Sequence, residues 1–421
     1  MVKARHRRAI IAWWPILLPI GLILASEYKL RSRAGDQSIG GSVDATILLE
    51  IGVYGVVALY MYRKFGLRPP RRRAPYVLLL AWGFACYSTL SALWTLYPTF
   101  ALVRGTQMLT VAAVCHVIAT RAGIADLRRL AHVFILLVLG SVAIGVAMPF
   151  PRTPQTVDRF NWLYVHPVSA GIFLGVAVLL VAGFALPGGL PRKWPLPAYL
   201  AAGVVLSGAL VATGTRGAAG GCVAGLVVML LLARGARGRA EFLMVAVPSA
   251  TVIGLGFSEQ IIAFATRGET VEQLESLNAR TDLWTLAFDA VAAQPLFGNG
   301  LSSARGLFLE EIGLGGGHNA FVNVLVEGGA FGFILFCTLM LVIITTLLGL
   351  TRTRETRPEA AMLIGMMVFF IVDGFTTEMV AAPANVASVW LYLVVAWTYL
   401  LARKPAEAKA RLVDGRLSRA T

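Results

Sequence analysis

At residues 315–329 the chain reads GGGHNAFVNVLVEGG, a histidine released from a run of glycines and followed at once by a hydrophobic stretch. Of the five histidines, His318 alone has such a setting. An imidazole titrates near ~6.5, so a neutral ring at this position could take a proton from an attacking hydroxyl. Arginines stand in equally distinctive company: Arg104 in SALWTLYPTFALVRG, Arg216 in TGTRGA and Arg280 in ARTDLWTLAFDAVAAQ. A guanidinium offers a planar fork of donors and never loses its charge, which suits a phosphate or pyrophosphate. Arg280 opens a helical pattern, where a cation is unfavourable unless an anion lies near. No Asp-x-Asp occurs, and the four cysteines (86, 115, 222 and 337) lack metal-ligand spacing. Arginine, with no metal or other cofactor, is therefore expected to stabilise a leaving pyrophosphate, and no disulfide framework is implied.

These residues need elements to position them, and composition names the kind. Hydrophobic residues make up 57% and charged residues 14% of 421, with a mean hydropathy of +0.73, which is the make-up of an integral membrane protein. About 12 apolar stretches approach the ~20 residues that a transmembrane helix needs, from 9–26 at one end to 384–402 at the other. The expected architecture is all-α. Spans 1 to 9 fill 1–257, a large loop occupies 258–319, spans 10 to 12 fill 320–402, and a basic tail covers 403–421. The tenth stretch, 320–350, is too long for one straight span. Lysines and arginines concentrate in alternate loops, which places both termini in the cytoplasm. Scattered in this way, the formal charge of +15 marks topology and lipid-headgroup contact, not a nucleic-acid face.

With that orientation the 258–319 loop is extracytoplasmic, and long loops on a rigid scaffold tend to be functional. Within it, residues 279–294 place Leu283, Trp284, Ala287, Phe288, Ala290 and Val291 at helical spacing, as in an amphipathic helix at the membrane interface. QPLFGNG then breaks the helix. Ionisable residues inside apolar stretches are costly and usually functional. Glu50, Arg104, Asp373 and Glu378 all fall toward the same face as His318, and Arg216 fills a short turn there. His166, in WLYVHPVSAG, sits at the outer entry of the sixth stretch. His116 and His132 lie near the opposite face and are assigned no role. A transporter would place such groups near the midplane on two matching halves, and neither feature is visible. Bland readings exist for each: a capping or interfacial role for His318, headgroup snorkelling for Arg216 and Arg104, ordinary loop charges for Arg152, Arg159, Arg267 and Arg305.

SALWTLYPTFALVRG (91–105), TGTRGA (213–218), ARTDLWTLAFDAVAAQPLFGNG (279–300) and HNAFVNVLVEGGAFG (318–332) together resemble the O-antigen ligase and polymerase superfamily of bacterial envelope glycosyltransferases. The resemblance covers about 75 to 400. It implies a C-type glycosyltransferase architecture in the bacterial inner membrane, with a large periplasmic loop and an active site on the periplasmic face. The implied reaction is metal-independent, inverting transfer of a glycan from undecaprenyl pyrophosphate to an acceptor hydroxyl. By the same resemblance Arg216, Arg280 and Arg104 would hold the pyrophosphate and His318 would be catalytic. Asn319 completes a His-Asn pair, Glu327 orients its helix, and Asp373, His166 and Trp284 are possible supporting residues. The expected acceptor is lipid A-core, as for an O-antigen ligase. A growing polysaccharide is the alternative, and a flippase or transporter of lipid-linked glycan the remote one.

Overall fold

The computed structural model describes residues 13–28, 45–66, 76–148, 159–186, 189–266, 278–312 and 317–417. Among them the chain is helical throughout, with no strand. In order the helices are α1 (Trp14–Glu27), α2 (Ala45–Phe65), α3 (Tyr76–Leu90), α4 (Pro98–Arg121), α5 (Ile124–Ala147), α6 (Pro167–Ala185), α7 (Leu196–Ala212) and α8 (Arg216–Ala233). Then follow α9 (Ala236–Gly256), α10 (Ser258–Thr266), α11 (Asn278–Ala293), α12 (Ser303–Ile312), α13 (Ala320–Leu350), α14 (Arg357–Gly374) and α15 (Val386–Leu417).

Prolines stand in the first turns of α4, α6, α7 and α14, where a missing N–H costs nothing because that donor has no partner within the helix. The centre of the bundle is α6 and the first half of α15. Their Phe173, Phe184, Trp390 and Trp397 are fully buried, together with Phe134 of α5 and Trp162. Glu27 reaches from the end of α1 to accept the backbone N–H of Val386 at 3.0 Å, tying the two ends of the chain together. α8 and α14 pack closest, because Gly221 and Gly225 bring the backbone of α8 onto the carbonyls of Phe369 and Gly365. Small residues at such a crossing let two helices approach in an apolar medium.

Each apolar stretch read from the sequence contains a helix among the described residues, and eight of these helices are long and apolar enough to cross a membrane. α1 and α7 are shorter apolar helices. The segment 258–319, expected as a loop, carries α10, α11 and α12. The eleventh stretch ends early: α14 stops at Gly374, so Glu378 lies in the connection 375–385. α15 in turn runs to Leu417, past the expected start of a tail at 403.

Candidate active site

The site is built on a break in α13. This 31-residue helix has a non-helical residue at Gly329 (φ 57°, ψ −162°), and at about 1.5 Å per residue it would otherwise exceed the ~30 Å apolar core. The 295–300 turn plugs the break. Ala330 and Phe331 donate their N–H groups to the carbonyls of Pro295 and Leu296, at 2.9 and 3.1 Å. Asn299 and Gly300 donate to the carbonyls of Val326 and Glu327, at 2.9 and 2.8 Å. Every backbone group freed by a kink at this depth needs a partner, and the turn supplies them. Gly298 and Gly329, both at positive φ, meet backbone to backbone, and a Cβ on Gly329 would lie 2.5 Å from the Gly298 nitrogen. The end of α3 and the segment after it clamp the plug. Trp94 Nε1 donates to Gly298 O at 3.1 Å, and Tyr87 Oη lies 2.7 Å from Gly328 O and 2.9 Å from Phe297 O. Thus the conspicuous stretches at 91–105, 295–300 and 318–332 form one assembly.

His318 precedes the shorter limb of this broken helix. Asn319 is the N-cap, its Oδ1 accepting the N–H groups of Phe321 and Val322 at 2.9 and 3.1 Å. On the other side Gly317 donates to Asn323 Oδ1 at 3.0 Å. Held between these two anchors, His318 adopts a left-handed backbone (φ 48°) and an exposed position. The cap uses Asn319, so the imidazole has no capping duty. The backbone N–H of His318 lies close enough to the Glu378 carboxyl to favour its charged form. Burial raises the Glu378 carboxyl above the ordinary carboxylate range, opposed by the charges of His318 and Arg305.

Arginines converge from several elements. Arg159 donates from Nε to Thr213 O at 2.8 Å and from Nη2 to Thr215 Oγ1 at 3.0 Å, and so grips the TGTRGA turn. Arg216 begins α8 at that turn, and the next residue, Gly217, abuts Thr376 in the connection that carries Glu378. His166 caps α6, its Nδ1 accepting Val168 N–H at 3.2 Å, so in the neutral ring Nε2 carries the proton. Loss of surrounding water lowers its pKa from the ordinary imidazole value, and the positive charges of Arg159 and His318 lower it further.

Beside His318 opens a cavity of about 210 Å³ whose polar lining includes Arg104, Arg305, Ser302, Asn323, Glu327 and Glu378. Arg104 Nη1 donates to Glu50 Oε1 at 3.0 Å and to Gln107 Oε1 at 3.1 Å. Arg104 and Arg305 both lie against the Phe100 ring, 5.5 and 6.0 Å from its centroid. The Glu327 carboxyl group lies close to the backbone N–H groups of Ser302 and Ala304 at the start of α12.

The structure therefore brings His318, Asn319, Arg216, His166, Arg104 and Glu327 to one end of the bundle. Arg280 occupies the first turn of α11; its side chain lies outside the described residues, as do Arg152 and Arg267. Asp373 does not line the cavity; it accepts Thr377 Oγ1 at 2.9 Å within its own turn. Trp284 is 42% exposed, whereas Leu283 and Ala287 on the other face of α11 pack with Ala304, Phe308 and Val326. The apolar surface of α11 is thus two faces, one packed and one open. Arg159 and Arg305, read from sequence as ordinary loop charges, both enter the site. His132 is structural, with Nδ1 2.7 Å from Arg128 O and Nε2 2.7 Å from Tyr199 Oη.

An all-α, multi-pass membrane protein with a histidine and arginines gathered at one end of its bundle is the class that fold and site define. Residues 201–337 match the family described as O-Antigen ligase. The chain is also 27% identical over 382 residues to the exopolysaccharide production protein ExoQ of Rhizobium meliloti (strain 1021), covering 82% of this chain and 81% of that protein. Both likenesses support the resemblance to the O-antigen ligase and polymerase superfamily.

Proposed function

We propose that this protein transfers a glycan from undecaprenyl pyrophosphate to an acceptor hydroxyl at the periplasmic face of the bacterial inner membrane. The observation that carries the reading is His318, held in a left-handed backbone near Glu378 and sharing with Arg159, which grips the 213–216 turn, an electrostatic reach to His166. Such a histidine is placed to take the proton of the acceptor hydroxyl as its oxygen attacks the anomeric carbon. The bond from that carbon to the pyrophosphate oxygen breaks, and the departing charge is met by Arg216 and Arg280, with Arg159 behind the turn. A single displacement from the opposite face inverts the anomeric centre. No metal or nucleotide sugar takes part.

Two acceptors remain, each favoured by a different comparison. The name of the Rhizobium meliloti relative, which matches over most of its length, favours extension of a growing exported polysaccharide. The description of the family matched by residues 201–337 favours ligation, with lipid A-core as the acceptor. Purified protein given lipid-linked glycan and each acceptor in turn separates them. A ladder of lengthening lipid-linked product marks the polymerase, and a single jump of the whole glycan onto lipid A-core marks the ligase.

A further inference from the structure

The cavity lined by Glu378 differs in charge from the arginine-bearing 213–216 turn, no residue of which lines it. Around the 213–216 turn stand Arg216 and Arg159 with His166 next to them. In the cavity, two arginines face two carboxylates, Glu327 and Glu378, and a third carboxylate, Glu50, sits 3.0 Å behind Arg104. Even with both Glu327 and Glu378 protonated, the two arginines and Glu50 leave a single net positive charge. A pyrophosphate would bring at least two negative charges and find at most one net cation to meet them. A neutral polyol is different: its hydroxyls both donate and accept, and charged groups of both signs are its strongest hydrogen-bond partners. At about 210 Å³ the cavity is smaller than the ~300–1,000 Å³ of sites for drug-sized ligands, so it takes one ring rather than a chain. Glu378 joins the cavity to His318, since it lines the one and lies within electrostatic reach of the other. In an inverting displacement the attacking hydroxyl and the leaving pyrophosphate stand on opposite sides of the reacting carbon. With pyrophosphate at the 213–216 turn, no residue of which lines the cavity, the cavity is where the attacking hydroxyl is assigned.

We infer that the cavity lined by Arg104, Arg305, Asn323, Glu327 and Glu378 binds the terminal sugar ring of the acceptor glycan. Arg104 is thereby a sugar contact held in place by Glu50 and Gln107, not a pyrophosphate ligand. This assignment rests on the transfer reading for its orientation, but its binding chemistry does not.

The test uses the full-length protein in detergent micelles and two variants, Arg305→Gln, which removes a fork of donors, and Ala382→Leu, which fills the cavity from its wall. Loss of a hydrogen bond to a charged group weakens binding about tenfold to a hundredfold, so the acceptor KM should rise by about that factor in both variants. The donor KM and inhibition by undecaprenyl pyrophosphate should change by less than about twofold, since neither residue meets the donor. A rise in donor KM with acceptor KM unmoved would overturn the assignment in favour of the donor sugar, and no change in either would overturn it outright. Binding of the free oligosaccharide repeat unit, cut from its lipid, is measured in parallel by saturation-transfer NMR. If the wild type transfers no glycan yet binds this oligosaccharide, and Ala382→Leu does not, the cavity assignment stands while the transfer reading falls. Equal oligosaccharide binding by wild type and both variants sinks the cavity assignment alone.

Discussion

The carboxyl of Glu378 lies within electrostatic reach of both the backbone N–H and the ring of His318, although the two residues stand in separate connections of the chain. This proximity ties the 375–385 connection to the candidate catalytic residue. Because burial raises the Glu378 carboxyl, it takes up its proton at a higher pH than the usual carboxylate value of about 4.3. Only the ionised form favours a proton arriving on His318, so activity falls as the pH drops through the raised value. The acid limb of the kcat profile is therefore expected above the ordinary carboxylate range. In Glu378→Gln that limb should move or vanish together with much of the rate; an unchanged limb would remove Glu378 from the account.

Arg159 was legible only as a loop charge, yet it braces the turn that presents Arg216. Arg159→Ala deletes two hydrogen bonds to that turn, at 2.8 and 3.0 Å. Loss of a charged partner of this kind weakens donor binding about tenfold or more. The donor KM should rise and the acceptor KM should not. Inhibition by undecaprenyl pyrophosphate is the direct readout.

The plug at the kink makes a stability prediction. Gly298→Ala drives a methyl group into the backbone of Glu327 and Gly329 at a positive φ. Overpacking of this sort costs about 1–3 kcal/mol, and here backbone rather than a flexible side chain must give way. Thermal unfolding in detergent should show a lower midpoint for Gly298→Ala, while Gly52→Ala on α2, which meets nothing within 4 Å and gains helix propensity, should not lower it.

Asn319 caps the shorter limb of α13 through two backbone N–H groups. Replacing such a cap with alanine costs about 0.5–2 kcal/mol, and frees the segment that holds His318. Asn319→Ala should lose rate well beyond its loss of stability, while Asn319→Asp, which keeps the accepting oxygen, should retain most of both. Parallel loss of rate by the two variants would give Asn319 a role other than capping.

The helices were legible because apolar runs between charged breaks need no partner to be recognised. The break at 295–300 was legible from Pro295, Gly298 and Gly300, but its purpose was not: the carbonyls it satisfies and the N–H groups it receives belong to a helix some thirty residues further on. His318 stood out by its neighbours in sequence. Arg305 and Arg159 did not, because what distinguishes them is a contact with Phe100 in one case and with Thr213 and Thr215 in the other. Trp284 was placed with the apolar stripe of α11 from spacing alone, but only packing tells which of two apolar faces turns inward. Glu378 was noticed for its depth, and its tie to His318 needed the chain to turn at Gly374.

The most direct measurement is glycan transfer by purified wild-type and His318→Ala protein, with lipid-linked glycan as donor, EDTA present, and lipid A-core or a second lipid-linked repeat as acceptor. The wild type should form product with one acceptor. Loss of a positioned base typically costs about a hundredfold to ten-thousandfold, so His318→Ala, equally well expressed and inserted, should be nearly silent while still binding donor. Normal transfer by His318→Ala would contradict the assignment of the base, and donor binding without transfer by the wild type would contradict the enzyme itself.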